Sequence, residues 1–173
     1  MHISNIGQGT GCGTNSQLSL NEMKEQIISS EIELNNLKQE QYFLKNELPK
    51  DSPIKIPPGA SIKDQNKIAG YRQIKYQWKQ DGYNYTSRWH QRTPNAPEDQ
   101  GNTWVVERKK EGIGYGPNAR HKVVEVLIGK DKKGNNIWID KEKWNEAIKA
   151  RKNGMATKKQ KEMLKNGHWK SKK

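Results

Sequence analysis

The stretch Gln73-Ile74-Lys75-Tyr76-Gln77-Trp78-Lys79-Gln80-Asp81-Gly82-Tyr83-Asn84-Tyr85-Thr86-Ser87-Arg88-Trp89-His90-Gln91-Arg92 decides the fold. Bulky and polar residues alternate on both sides of Asp81-Gly82, and period-two alternation sends successive side chains to opposite faces of a strand. An Asp-Gly pair between two such runs is a strong hairpin signal, because the tight turn that matches strand twist needs positive φ at both central residues. Pairing outward from the turn sets Gln80 against Tyr83, Trp78 against Tyr85, Tyr76 against Ser87 and Ile74 against Trp89. One face of the hairpin is thereby aromatic and suited to a core. The other carries Lys75, Gln77, Lys79, Thr86, Arg88, His90 and Arg92, with Lys75 opposite Arg88.

Downstream, a loop from Thr93 to Gly101 holds Pro94 and Pro97. Thr103–Lys109 predicts a third strand, Gly112 to Asn118 a Gly-rich loop, Lys122–Gly129 a fourth strand and Ile137–Ile139 a short fifth. The chain then turns helical. Asp140 is placed to cap a helix that carries Trp144, Ala147, Ile148 and Arg151 and stops at Asn153-Gly154. Thr157 with Gln160 is a capping box, opening a second helix that Asn166-Gly167 ends.

Upstream, residues 49–68 contain Pro49, Pro53, Pro57 and Pro58, four of the seven prolines, and predict a linker. Before it, Leu20, Met23, Ile27, Ser30, Leu34, Leu37, Gln41, Leu44 and Leu48 step by three and four. Over residues 18–48 that is a heptad seam with polar breaks, read either as a coiled-coil arm able to form a homodimer or as one amphipathic helix packed on the following domain. Ser19 is its N-cap candidate. The Gly-, Asn-, Ser- and Thr-rich residues 1–16 predict a flexible lead-in. The expected fold is α+β: a small antiparallel sheet followed by two helices, preceded by a long N-terminal helix. The expected domains are a lead-in (1–16), a helical arm (17–48), a Pro-rich linker (49–68) and a basic domain with a Lys-rich tail (69–173).

The chain has 173 residues and a formal net charge of +13, with only 31% hydrophobic residues. Residues 1–50 hold 4 Lys/Arg against 6 Asp/Glu, residues 51–100 hold 8 against 5, and residues 101–173 hold 20 against 8. A strongly basic domain most often meets a polyanion, nucleic acid first. No apolar run is long enough for a membrane span, and residues 1–14 lack the pattern of a standard secretory signal. Cys12 is the single cysteine, which excludes an internal disulfide and a cysteine-based zinc site. Asp, Glu and His do not recur at metal-ligand spacing, so neither a metal nor another cofactor is expected.

Arg88, His90 and Arg92 at i, i+2 and i+4 share one strand face. Like charges directly opposite destabilise a sheet by up to about 1 kcal/mol, so Lys75 across from Arg88 makes most sense if an anion lies over the pair. A histidine between two arginines suits phosphodiester cleavage: the guanidinia hold the phosphate and the imidazole moves a proton. RNA supplies its own nucleophile, the 2′-OH. For a second proton-transfer group the candidates are His121, Thr93, Glu107 and Glu98; His168 beside Trp169 reads as packing. Lys75, Lys79, Thr86, Arg108, Lys109, Tyr115, Arg120 and Lys122 are the expected nucleic-acid contacts, Tyr115 as an exposed ring in the Gly-rich loop. A DNase and a non-catalytic basic nucleic-acid-binding module remain the alternatives.

Two blocks carry a resemblance. Ser87-Arg88-Trp89-His90-Gln91-Arg92-Thr93-Pro94-Asn95-Ala96-Pro97 and Gln100-Gly101-Asn102-Thr103-Trp104-Val105-Val106 resemble the C-terminal toxin domain of bacterial polymorphic toxins, above all ribonuclease toxins of the LXG class. Ala150-Arg151-Lys152-Asn153-Gly154 and Gly167-His168-Trp169 fit the same pattern. The resemblance covers about residues 70–170. It implies a secreted or injected ribonuclease that acts in the cytoplasm of a target bacterium and is neutralised by an acidic immunity protein. The long LXG delivery domain is missing. The sheet-then-helix order departs from the helix-first order of barnase-like enzymes, unless the 18–48 helix supplies that layer.

Overall fold

The computed structural model describes residues 18–112 and 123–173, and the expected lead-in, with Cys12, lies outside them. Two compact units divide at Phe43/Leu44. The first is helix α1, Leu20–Tyr42. Ser19 caps it: its hydroxyl accepts the Glu22 backbone N–H at 3.1 Å. Leu20, Met23, Ile27, Leu34 and Leu37 of the heptad seam are all exposed along α1. The seam is shorter than the sequence spacing suggests. α1 stops at Tyr42, the chain passes through a π-type turn (Phe43–Glu47) and a 3-10 turn (Leu48–Asp51), and Leu44 and Leu48 belong to the second unit.

The second unit is an antiparallel sheet with two helices, so the whole is α+β as expected. Its strands are β1 (Ser61–Asn66), β2 (Arg72–Gln80), β3 (Tyr83–His90), β4 (Thr103–Lys110), β5 (Val124–Lys130), β6 (Asn136–Asp140) and β7 (Trp169–Lys170). β1 to β6 follow one another in sheet order, and β7 pairs with β4 beside β5. The β2–β3 register is the one the alternation dictates, from Gln80↔Tyr83 to Ile74↔Trp89 with Lys75↔Arg88. Asp81 and Gly82 take φ of 49° and 77°, the positive pair this turn requires.

The segment 49–68 is more than a linker. Ser61–Asn66 forms β1 and pairs with Asn66↔Arg72 through Ser61↔Gln77. Residues before it belong to the aromatic core of the sheet. Tyr76 donates its hydroxyl proton to the Leu44 carbonyl, the Ser52 and Ser87 hydroxyls lie 2.8 Å apart, and Trp104 Nε1–H donates to Asp51 Oδ2 at 2.8 Å. Polar tips of buried rings and hydroxyls thus find partners, as burial demands. The Lys-rich end is also structured. Asp51 accepts from the Ser171 hydroxyl and from the Lys172 backbone N–H at 3.1 Å, so the chain end is tied to the 3-10 turn.

Helices α2 (Lys141–Lys152) and α3 (Lys158–Gly167) cover the opposite face of the sheet. Val105, Val126, Trp144, Ala147 and Leu164 form the core there, with Ile128, Ile139, Ile148 and Met163 at its edge. The Thr157–Gln160 capping box is formed in both directions. Asp140 stands at the α2 N-cap position but makes no side-chain cap bond.

Candidate active site

The sheet face that carries His90 is built in rows. Strand pairing aligns Gln65, Gln73, His90 and Thr103 in one row, and Lys63, Lys75, Arg88 and Val105 in the next. Three cations therefore lie side by side across β1, β2 and β3. Burial depresses the Lys75 pKa, and Arg88, Lys63 and Lys67 push it the same way, with Glu107 opposing. Glu107 is the counter-charge: it accepts from the Arg88 guanidinium and from Lys141 Nζ at 3.1 Å. Arg88 Nε is buried without a hydrogen-bond partner.

Where the helices meet this face, an open cleft of about 510 Å³ forms. It is lined by His90 and Arg88 from β3, Arg92 and Thr93 from the loop after it, Lys67 and Tyr71 from the β1–β2 connection, Arg151 from α2 and His168 from the end of α3. Four cations and two histidines thus share one concavity, and no carboxylate is among the lining residues. Such a lining gives the concavity a positive potential, which attracts anions.

Burial lowers the His90 pKa from 6.5 to about 4, with Arg88, His168 and Lys67 adding to the shift. His90 is therefore neutral at pH 7, the form a proton acceptor needs. Its ring lies 5.9 Å from that of Tyr71. His168 is depressed as well, first by burial and then by Arg151, against a hydrogen bond to the Leu164 carbonyl that favours its charged form.

The proposed Arg88-His90-Arg92 stripe is continuous in space but not in the strand. β3 ends at His90. Arg92 reaches the cleft from the loop, held by its backbone N–H to Asn102 Oδ1 at 2.8 Å and by its guanidinium to the Ala96 carbonyl. Thr93 lines the cleft as expected. His121, Tyr115, Arg120 and Lys122 lie outside the described residues. Lys79, Thr86 and Lys109 line a second open cleft, about 540 Å³, that continues along the same face toward the hairpin turn; Lys79 pairs with Glu111 at 3.2 Å. Lys75 occupies the cationic row. Arg108 lines this second cleft too, and it has partners of its own. Its strand position opposite Tyr85 puts its side chain on the aromatic face, where it pairs with Glu125 at 2.9 Å and stacks over Tyr83 and Trp138. Glu107, a candidate second proton-transfer group, is paired with Arg88 and Lys141 and is not among the lining residues of the His90 cleft.

Sequence reasoning missed Lys63, Lys67, Tyr71, Arg151 and His168. Arg151 had a signal: it continues the Trp144, Ala147, Ile148 stripe at helical spacing, so it points where the core residues point. Lys63 and Lys67 were hidden inside the presumed linker. Among the described residues no group of three His, Cys, Asp or Glu is arranged to hold a metal ion. Comparison with protein-family models, curated proteins and solved structures finds no match.

Proposed function

We propose that this chain is a metal-independent endoribonuclease of the antibacterial toxin type. The observation that carries the reading is the cleft: a neutral histidine, His90, among Arg88, Arg92, Arg151 and Lys67, with no carboxylate in the lining. The arginines bind the scissile phosphate and stabilise the charge that develops on it. His90 takes the proton of the attacking 2′-OH. The row Lys63, Lys75, Arg88 and the neighbouring cleft with Lys79, Thr86 and Lys109 carry the polyanion on either side. RNA is favoured over DNA because its own 2′-OH can serve as the nucleophile that His90 deprotonates.

As a toxin it would be secreted or injected and act in the cytoplasm of a target bacterium. Its immunity partner would be acidic and would cover the cleft, since electrostatic complementarity to a cationic concavity gives both speed and specificity. The α1 seam would join two copies. Among the described residues no helix is long and apolar enough to cross a membrane.

The test is cleavage of RNA by the full chain in EDTA. The expected result is unchanged activity in the chelator, no cut in plasmid DNA, and loss in His90→Ala while RNA binding persists. Activity that disappears in EDTA, or that survives intact in His90→Ala, overturns the assignment. Binding with a steep salt dependence and no cleavage would favour a non-catalytic binding module.

A further inference from the structure

The cleft contains a second histidine that the strand-face argument did not use. His168 is the residue that ends α3, and its side chain is held on two sides. Its ring centroid lies 5.1 Å from that of Trp144. Its Nδ1 lies 2.6 Å from the Leu164 carbonyl oxygen. A carbonyl can only accept, so Nδ1 carries the proton in this contact, and the tautomer is fixed. Nε2 is then the ring nitrogen left to exchange a proton. His168 and His90 both line the same cationic cleft.

We propose that His168 is a second catalytic residue of this site, the general acid that protonates the leaving 5′ oxygen while His90 acts as base. This rests on the ribonuclease reading. In the step, the 2′-O–H proton passes to His90, the 2′-O–P bond forms, the P–O5′ bond breaks, and the Nε2 proton of His168 passes to O5′. The products are a 2′,3′-cyclic phosphate and a 5′-hydroxyl. The roles follow from the partners. Burial acts against the charged form of both rings; His168 has a carbonyl acceptor that supports that form, with Arg151 opposing, and His90 has Arg88, His168 and Lys67 against it. The titratable and charged groups that share the cleft with His168 are Arg151 from α2, His90 and Arg88 from β3, Arg92 from the following loop and Lys67 from the β1–β2 connection. A phosphate among them adds negative charge and raises the pKa of both rings, the direction that the charged form of His168 needs.

The experiment compares two substrates in the full chain: RNA, and a ribonucleoside 3′-(4-nitrophenyl phosphate), whose phenolate leaves without a proton. The variant His168→Asn is suited to it, because the Asn amide can still donate to the Leu164 carbonyl but has no Nε2. Expected is a loss of about 10²–10⁴-fold on RNA, with the aryl ester cleaved within a few-fold of the unmodified chain. His90→Ala should lose both. The alkaline limb of the kcat/KM profile on RNA should vanish in His168→Asn. Equal loss on both substrates would make His168 structural and overturn the proposal, as would full activity on RNA. Loss of the aryl ester in His168→Asn with retention in His90→Ala would reverse the roles and also overturn it. If the unmodified chain cleaves neither substrate, the ribonuclease reading itself fails, and the two failures are told apart.

Discussion

Replacing Glu107 with Gln tests whether the cationic row is a strained arrangement held for an anion. Glu107 is 13% exposed and is the carboxylate that answers both Arg88 and Lys141. Breaking a fully buried ion pair by removing one partner costs about 3–5 kcal/mol, and exposed pairs are worth about 0–1 kcal/mol. Arg88 is 24% exposed and Lys141 37%, so the pair lies between these limits, and a cost of about 2 kcal/mol is expected. In a chain of this length that lowers Tm by about 4–8 °C. The assay is thermal unfolding at low ionic strength, repeated in 0.5 M NaCl (about a 4–5 Å screening length) and with inorganic phosphate. Phosphate supplies the missing negative charge, so it should raise the Tm of Glu107→Gln more than that of the unmodified chain. The double variant Glu107→Gln with Arg88→Met removes the Arg88–Glu107 pair as a unit and leaves only the more exposed Lys141 without its carboxylate, so it should recover most of the loss, because an ion pair replaced as a unit is often neutral. A single variant within about 0.5 kcal/mol of the unmodified chain at low salt, the range of an ordinary surface change, would refute the reasoning. So would a double variant no better than the single.

Two further outcomes follow from the same cleft and its frame. His90 has a folded pKa of about 4 against an ordinary 6.5, so the unfolded chain binds more protons in that window and stability is lost as pH falls from about 6.5 toward 4. From this residue the loss between pH 7 and pH 5 is about 2 kcal/mol; urea titrations should show it, His90→Gln should flatten it, and an unchanged slope in that variant would contradict the burial argument. At Gly167, an added Cβ would stand 2.3 Å and 2.6 Å from Trp144 ring carbons. Gly167→Ala should therefore cost about 1–3 kcal/mol by overpacking and displace the adjoining His168, lowering RNA cleavage; a variant with unaltered Tm and activity would show that Trp144 yields freely.

The hairpin was legible because two independent signals agreed on it. Side-chain alternation set the faces and Asp81-Gly82 set the register, and a one-residue slip would have moved every aromatic to the wrong side. The helix caps at Ser19 and Thr157 were legible for the same reason, since a cap is a local chemical requirement. The first strand was not. Ser61–Asn66 follows Pro57-Pro58-Gly59 and is mostly exposed, so it lacks the apolar alternation that betrays a half-buried strand; it forms because β2 offers it an edge. Arg108 was taken for its charge alone, and its ring partners were not read: strand parity sets it opposite Tyr85. The site was half legible. Local spacing brought out Arg88, His90 and Arg92, but Lys67, Arg151 and His168 come from distant parts of the chain, and only the fold brings them to the cleft.

The position of that cleft follows from a division within a single sheet face. On β4, β5 and β6 this face carries Val105, Val126 and Ile139, which α2 and α3 cover through Trp144, Ala147 and Leu164. On β1, β2 and β3 it carries Lys63, Lys75 and Arg88, which no apolar layer could cover without stranding three charges. The helices must therefore stop near the β3–β4 boundary, and the step where they stop is the wall of the cleft. His90 stands on the sheet side of that step and His168 on the helical side. Under the ribonuclease proposal, a polyanion drawn to the cationic half would meet the wall there, with His90 and His168 on its two sides. The same arithmetic of row positions that leaves half the face uncovered by the helices thus also sets where the cleft lies. Exchanging Lys75 for an apolar residue should weaken RNA binding without moving the His90 pH dependence, because the row delivers the substrate and the step acts on it.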